Sequence, residues 1–131
     1  LVLWQVGTSD AFARIPLQEF RNTIVETIHW LKEHQVDVAM VGLHYLRILA
    51  QDPQYQAIRI LLKSIAEEEK VARIGRYEAT QIIERMQSGG AQSPTDEFVL
   101  TEDGYGCLAE YVARAITSGI FVRNVEQKQK P

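Results

Sequence analysis

The chain has 131 residues, of which 46% are hydrophobic and 24% are charged, and its net charge is −3. This composition is typical of a globular protein with one hydrophobic core. The 14 basic residues are scattered, without a stripe or interleaved aromatic side chains. We therefore expect no nucleic acid or other polyanion as a partner.

Cysteine content and hydrophobic runs exclude other classes. Cys107 is the one cysteine, so the chain forms no internal disulfide, and no Cys/His pairs have the spacing of zinc ligands. We expect neither a metal nor another cofactor. No hydrophobic run approaches the ~20 residues of a membrane span, and the start at Leu1 lacks a signal-peptide pattern. We expect a soluble chain, periplasmic or secreted if a longer precursor carries a signal peptide. The leucine at position 1 indicates a processed chain or an excised piece.

The first half of the chain predicts a strand, a helix and a second strand. Leu1–Val6 is an apolar run that ends at Gly7, which suits a strand buried on both faces. Pro16 indicates a helix start. One face of that helix carries Phe20, Ile24, Ile28 and Leu31. The segment 36–43 is the clearest strand.

The second half continues the alternation of helices and strands. Asp52 and Pro53 predict an N-cap and a first helical position, opening a helix that ends near Lys70. A short strand at 71–74, a helix up to Gly89, a loop at 88–95 and a final helix after Thr101 follow. Such alternation predicts an α/β fold, a three-layer α/β/α sandwich with a parallel sheet. The predicted domain covers residues 1–122, with a polar, disordered tail at 123–131.

Two segments resemble conserved blocks of the SGNH/GDSL hydrolase family. The run from Leu1 to Asp10, Leu-Val-Leu-Trp-Gln-Val-Gly-Thr-Ser-Asp, is similar to the third block, an apolar strand ending in Gly-x-Asn-Asp, and most similar to a bacterial subfamily. Asp96-Glu-Phe-Val99, followed by a helix up to Ile116, is similar to the last block, Asp-x-x-His. The resemblance spans roughly residues 1 to 116 and implies a flavodoxin-like sheet that is truncated at its N-terminus.

The resemblance also implies which residues would act in ester hydrolysis. Members use a serine in a Gly-Asp-Ser block, a histidine base, an orienting acid and preorganised oxyanion donors. Gly7 and Ser9 match oxyanion-donor positions, with Ser9 in place of asparagine. Asp96 matches the acid, and Val99 stands in the position of the base. The sequence contains no Gly-Asp-Ser. We therefore expect the chain to be inactive alone. Carbohydrate or lipid esters are the substrate class of intact relatives.

The βα loops at one rim of a parallel sheet form the expected binding cleft. Gly7, Ser9, Asp10, His44 and the Asp96 loop should lie near this rim. A small-molecule ester or a carbohydrate is the expected ligand. His44 is the histidine that follows a strand, whereas His29 and His34 are expected to be exposed on a helix.

The strand at Leu1–Val6 should lie at an open edge of the sheet, because the first strand of the family fold would pair there. Unpaired edges favour association. We expect either a homodimer through this edge or pairing with a missing N-terminal segment.

Three interpretations of function remain open. The first is a degenerate member or C-terminal piece of an SGNH/GDSL-like hydrolase. The second is a non-catalytic flavodoxin-like module that binds a ligand or partner. The third is an atypical esterase that uses Ser9 as nucleophile and His44 as base. A reactive serine distinguishes the third from the others.

Overall fold

The computed structural model describes residues 1–87 and 102–128. The chain divides into two compact units, Leu1–Val99 and Leu100–Pro131. The first unit contains three strands, four α-helices and a short 3-10 helix (Arg47–Leu49) among its described residues. The strands are β1 (Val2–Gln5), β2 (Val38–Val41) and β3 (Ala72–Ile74). The helices are α1 (Thr8–Phe12), α2 (Leu17–Glu33), α3 (Pro53–Glu68) and α4 (Arg76–Gln87).

The three strands form one parallel sheet in the order β1-β2-β3. Val2 pairs with Val38 and Gln5 with Val41, while Ala39 pairs with Ala72 on the other side of β2. The central strand β2 is almost completely buried, as expected for a parallel strand covered on its faces. The α/β class and the parallel sheet are thus confirmed.

Helices α2 and α3 pack against each other and against the sheet, so they cover the same face. Their buried residues are the apolar positions at helical spacing, Phe20, Ile24 and Ile28 from α2 and Tyr55, Ile58, Leu62 and Ile65 from α3. On this face they meet Val38 and Met40 of β2. On the opposite face, Leu3 of β1 is 49% exposed. The second helical layer of a three-layer sandwich stays a prediction.

Both covering helices end in the same way. Gln35 and Lys70 adopt left-handed φ values of 58° and 52°. The next amides, of Val36 and Val71, donate to the carbonyls of Leu31 and Ala66. This is the Schellman arrangement, which satisfies the last helical carbonyls and redirects the chain. It leads α2 into β2 and α3 into β3.

The start of α3 follows the predicted pattern. Asp52 is the N-cap, and its Oδ1 accepts a hydrogen bond from Tyr55 N–H at 2.8 Å, with Pro53 in the first helical turn. The Arg14 guanidinium contacts both Asp52 oxygens, at 2.9 and 2.7 Å. This pairing lowers the pKa of Asp52, chiefly through the Arg14 hydrogen bond and then through the Tyr55 amide.

Two differences from the sequence prediction stand out. The second strand is shorter than the predicted 36–43 segment, because Val36 completes the end of α2 and Leu43 already lies beyond the paired residues. The turn after β1 continues as the five-residue helix α1, which was not predicted.

In the second unit, the helix α5 runs from Glu102 to Lys128. The predicted single domain at 1–122 and the tail at 123–131 stay predictions. The loop at 88–95, Asp96 and Val99 lie outside the described residues. Among the residues that the structure describes, no helix is long and apolar enough to cross a membrane.

Candidate functional site

The candidate site lies where the three parallel strands end. β1 leads into Gly7 and α1, β2 leads into Leu43 and His44, and β3 leads into Gly75 and α4. Ligands of open parallel sheets bind at these carboxyl ends. We call this region, residues 7–10, 43–45 and 75–80, the rim.

Gly7 occupies a position that only glycine fits. Its φ is +104°, a conformation that side-chain-bearing residues rarely adopt. A Cβ there would lie 2.6 Å from Leu43 Cδ1 and 2.9 Å from Leu62 Cδ1. The close approach brings the turn after β1 directly against the segment after β2 and against α3.

Asp10 closes the same turn. Its Oδ2 accepts a hydrogen bond from Gly7 N–H at 3.1 Å. A carboxylate in the first turn of a helix also interacts favourably with the helix amides. As a result, the Gly7 amide is already engaged, by a negatively charged group.

Ser9 lies on α1 and is exposed. Its carbonyl accepts a hydrogen bond from Ala13 N–H at 2.9 Å. Among the described residues, none accepts a hydrogen bond from the Ser9 hydroxyl. The third interpretation, with Ser9 activated by His44, therefore lacks the nucleophile–base hydrogen bond in this structure. The roles predicted for Gly7, Ser9 and Asp10 stay predictions.

His44 is held at the rim by its backbone. Its N–H donates to Thr8 Oγ1 at 3.3 Å, and its carbonyl accepts from the Tyr55 hydroxyl at 2.5 Å. The structure therefore brings together the ends of β1 and β2 and the first turn of α3. His44 was predicted at this rim from its position after a strand, whereas Thr8 and Tyr55 were not.

Two buried hydroxyl groups support the rim from below. Burial raises the pKa of the Tyr55 phenol, while a hydrogen bond with Thr8 opposes this shift. The Thr80 hydroxyl, which is fully buried, accepts a hydrogen bond from Tyr45 N–H at 3.1 Å and donates to the Arg76 carbonyl at 2.7 Å. Thr80 thus links the end of β2 to the first turn of α4.

The His44 imidazole lies in a desolvated, positive environment. Burial is the main cause that lowers the pKa of His44, and the positive charge of Arg76 lowers it further. The side chain is therefore neutral at pH 7. Nδ1 of the ring has no hydrogen-bond partner within the described ranges, so the base–orienter pair of a hydrolase triad is not formed there.

In the described part of the chain, no group of three His, Cys, Asp or Glu residues is placed so that it could hold a metal ion. No protein-family model matches the chain, and no curated protein is significantly similar to it. The SGNH/GDSL assignment thus rests on the residues quoted for it.

Proposed function

We propose that this chain is a degenerate SGNH/GDSL-type hydrolase domain, or a piece of one, whose rim binds an ester or carbohydrate ligand without cleaving it. The proposal includes a flavodoxin-like, three-layer arrangement of the complete fold. Its support is the Gly-x-x-Asp turn of residues 7–10, which follows an apolar strand and lies at the ligand-binding end of a parallel sheet.

The observation that carries the non-catalytic part is the hydrogen bond from Gly7 N–H to Asp10 Oδ2 at 3.1 Å. An oxyanion hole requires donors that point at the developing negative charge. Here the glycine amide already donates to a carboxylate, whose own charge would repel an oxyanion. Ser9 replaces the asparagine donor, and its hydroxyl is exposed. The rim therefore favours binding over acyl transfer.

The second candidate function is a non-catalytic binding module without hydrolase ancestry. The observation that favours it is the Thr8–His44–Tyr55 network, which shapes the rim but needs no serine chemistry. Both candidates predict that the rim is catalytically inactive. They differ in how they explain the resemblance to the SGNH/GDSL blocks. In the second candidate this resemblance is a coincidence.

The partner proposal concerns the open edge of the sheet. In the described residues, β1 pairs with β2 on one side. We propose that the other side of β1 pairs with a strand of a second copy or of a longer polypeptide. An exposed edge with free backbone groups is a common site of such pairing.

Ester turnover tests the proposed function. Hydrolysis of p-nitrophenyl acetate would be measured for the wild-type chain, Ser9→Ala and His44→Gln. We expect all three proteins to hydrolyse the ester at the same low rate. This rate is the background hydrolysis that exposed histidines such as His29 and His34 produce. An active serine hydrolase is assayed in parallel as a positive control, which shows that the substrate is cleaved under these conditions. Loss of turnover in Ser9→Ala alone, or in both variants, would support the atypical esterase instead.

A further inference from the structure

The two outer edges of the sheet differ in length and charge. Among the described residues, β1 and β3 are the end strands of the order β1-β2-β3. β3 has three residues and contains Arg73, whose Nη1 lies 3.7 Å from Glu78 Oε2. Short length and charged side chains protect an edge against pairing. The four residues of β1, Val2–Gln5, include no charge and no proline, so this edge lacks such protection.

The outer edge of β1 presents the backbone groups of alternate residues. The amides of Val2 and Val6 donate to carbonyls on the β2 side. Successive residues of a strand direct their backbone groups to opposite sides. The amides and carbonyls of Leu1, Leu3 and Gln5 therefore point outwards, where a further strand could bind them. The side chains of these three residues lie on one face, and there Leu1 is 62% and Leu3 49% exposed.

Helix α2 borders the same edge on the other face of the sheet. Its Arg21 and His29 contact Glu68 and Glu69 near the end of α3. Because α3 also packs on β3, α2 lies on the β1 side of α3. With 3.6 residues per turn, the flank of α2 that points away from α3 carries Thr23, Thr27, Trp30 and His34.

Trp30 is the large apolar side chain of this flank. It is 57% exposed, and its ring stacks on that of His34 with the centroids 4.1 Å apart. The His34 ring is itself held by a bond between Nδ1 and the Trp30 carbonyl, at 2.7 Å. An exposed tryptophan with a fixed ring is typical of the residues that carry most of the binding energy in protein interfaces.

We call these residues together, Leu1–Val6 and the α2 flank, the β1 border. It contains no Asp, Glu, Lys or Arg, although the chain has 17 acidic and 14 basic residues. A partner strand with charged side chains would find no counter-charge there. A second copy of the chain brings an equally uncharged border, so the two surfaces meet without repulsion. This charge match favours a second copy as the occupant.

We propose that two copies of this chain pair through β1, with the strands antiparallel about a twofold axis at Leu3. Leu3 then pairs with Leu3 of the second copy, and Leu1 pairs with Gln5, so all three outward residues form backbone hydrogen bonds. An axis at Trp4 would pair only Leu3 and Gln5. The inference rests on the proposed pairing of the β1 edge, and it specifies the occupant and the register.

This register covers both exposed apolar parts of the β1 border. On one face, Leu1 and Leu3 of the two copies become direct and diagonal neighbours across the new strand pair. On the other face, the twofold axis brings the two α2 flanks side by side, and Trp30 packs over the paired strands. The result is one six-stranded sheet with the same surface used by both copies, as a twofold interface requires.

Disulfide cross-linking tests the register. The exposed Cys107 is first replaced in Cys107→Ser. In this background, Leu3→Cys should form a disulfide dimer, because directly opposed residues have Cα atoms about 5.5 Å apart, within the range of about 4.4–6.8 Å for disulfides. Gln5→Cys should not link to itself, since the register separates the two positions by more than about 13 Å. A mixture of the Leu1→Cys and Gln5→Cys chains should form the mixed dimer.

Ile60→Cys measures the rate of cross-linking by random collision, because Ile60 is 64% exposed on α3 and lies away from the β1 border. Leu3→Cys that links no faster than Ile60→Cys would overturn the second copy as the occupant. Self-linking of Gln5→Cys without linking of Leu3→Cys would keep a contact at β1 and overturn the register.

The role of the α2 flank is tested without cysteines. Trp30→Ser should weaken dimerisation about tenfold or more in light scattering, as expected for an interface tryptophan. Ile60→Ser is the matched control, which removes an exposed apolar side chain from a helix outside the β1 border and should leave dimerisation unchanged. Equal effects of the two changes would contradict the proposed packing of Trp30. Serine-dependent ester turnover would reject the non-catalytic rim and leave these results unaffected, so the two failures are distinguishable.

Discussion

The Thr8 hydroxyl accepts a hydrogen bond from the His44 backbone amide at 3.3 Å, across 36 positions of sequence. This bond ties the turn after β1 to the segment after β2. Through the His44 carbonyl, the Tyr55 hydroxyl adds the first turn of α3 to the same network. The rim is thus a jointly fixed surface, which is the property that a binding site requires.

Replacing Thr8 by valine should loosen this connection. Thr8→Val keeps the shape of the side chain, and it removes the acceptor for His44 N–H together with a hydrogen bond to the Tyr55 phenol. We expect a loss of about 1–2 kcal/mol in the free energy of unfolding, because partly buried polar groups lose their partner. Urea denaturation measures the loss, and amide exchange at His44 should accelerate. Ser9→Ala is the matched control, with an effect below about 0.5 kcal/mol at an exposed site; equal effects of both changes would argue against the network.

A side chain at Gly7 should be strongly destabilising. In Gly7→Ala, the new methyl group would lie 2.6 Å from Leu43 Cδ1, at a φ of +104°. Steric overlap and the left-handed backbone together should cost about 2–5 kcal/mol.

Gly106→Ala provides the contrast for this test. Gly106 lies within α5, and apart from its chain neighbours and the backbone of its own helix no described atom is within 4 Å of a Cβ placed there. Alanine in a helix interior is favoured over glycine by about 1 kcal/mol, so this change should stabilise the chain or leave it unaffected. Denaturation curves give the free energy of unfolding of both variants. A similar loss in both would contradict the steric role of Gly7.

The stability of the chain should depend on the His44 side chain at mildly acidic pH. The pKa of His44 in the folded chain is lowered below its ordinary 6.5, first by burial and then by Arg76. The unfolded chain therefore binds more protons at this position between the two pKa values. By linkage, the neutral His44 side chain makes its full contribution to the free energy of unfolding above pH 6.5. This contribution is lost as the pH falls below that value.

His44→Gln should remove this component of the pH dependence. Unfolding free energies in urea would be compared at about pH 7.5 and about pH 5.5, where the histidine linkage acts. The wild-type chain should lose more stability on acidification than His44→Gln does. An unchanged slope in His44→Gln would reject the desolvated state of the ring.

Much of the fold could be predicted from local sequence signals. Asp52 and Pro53 fixed the start of α3, because capping and proline geometry depend on neighbours in sequence. The end of α2 was less predictable, since its left-handed position carries Gln35 and no glycine. At the rim, His44 could be predicted because it follows a predicted strand. The partners Thr8, Tyr55 and Arg76 were missed, because their contacts join segments that are distant along the chain.

Among the described residues, no strand pairs with the outer edge of β1, and this predicts association. Val2 and Val6 donate their amides to Asp37 and Val41 carbonyls on the β2 side, at 2.7 and 3.2 Å. By alternation, the amides of Leu3 and Gln5 point away from β2. Gln5→Pro removes one outward amide without touching the β1–β2 ladder, so it should weaken self-association while circular dichroism stays native.

Light scattering across a concentration series measures this association, with Gln5→Ala as the control that keeps the amide. A wild-type chain that is monomeric at all concentrations, with β1 protected from hydrogen exchange, would contradict edge pairing between copies.

Labelling with a fluorophosphonate, followed by intact-mass measurement, tests most directly whether the rim carries an activated serine. This reagent modifies activated serines whatever their natural substrate. We expect an unmodified mass for the purified chain under conditions that fully label an active serine hydrolase. A stoichiometric adduct that maps to Ser9 would contradict it and would make the chain a working hydrolase with a rearranged catalytic site.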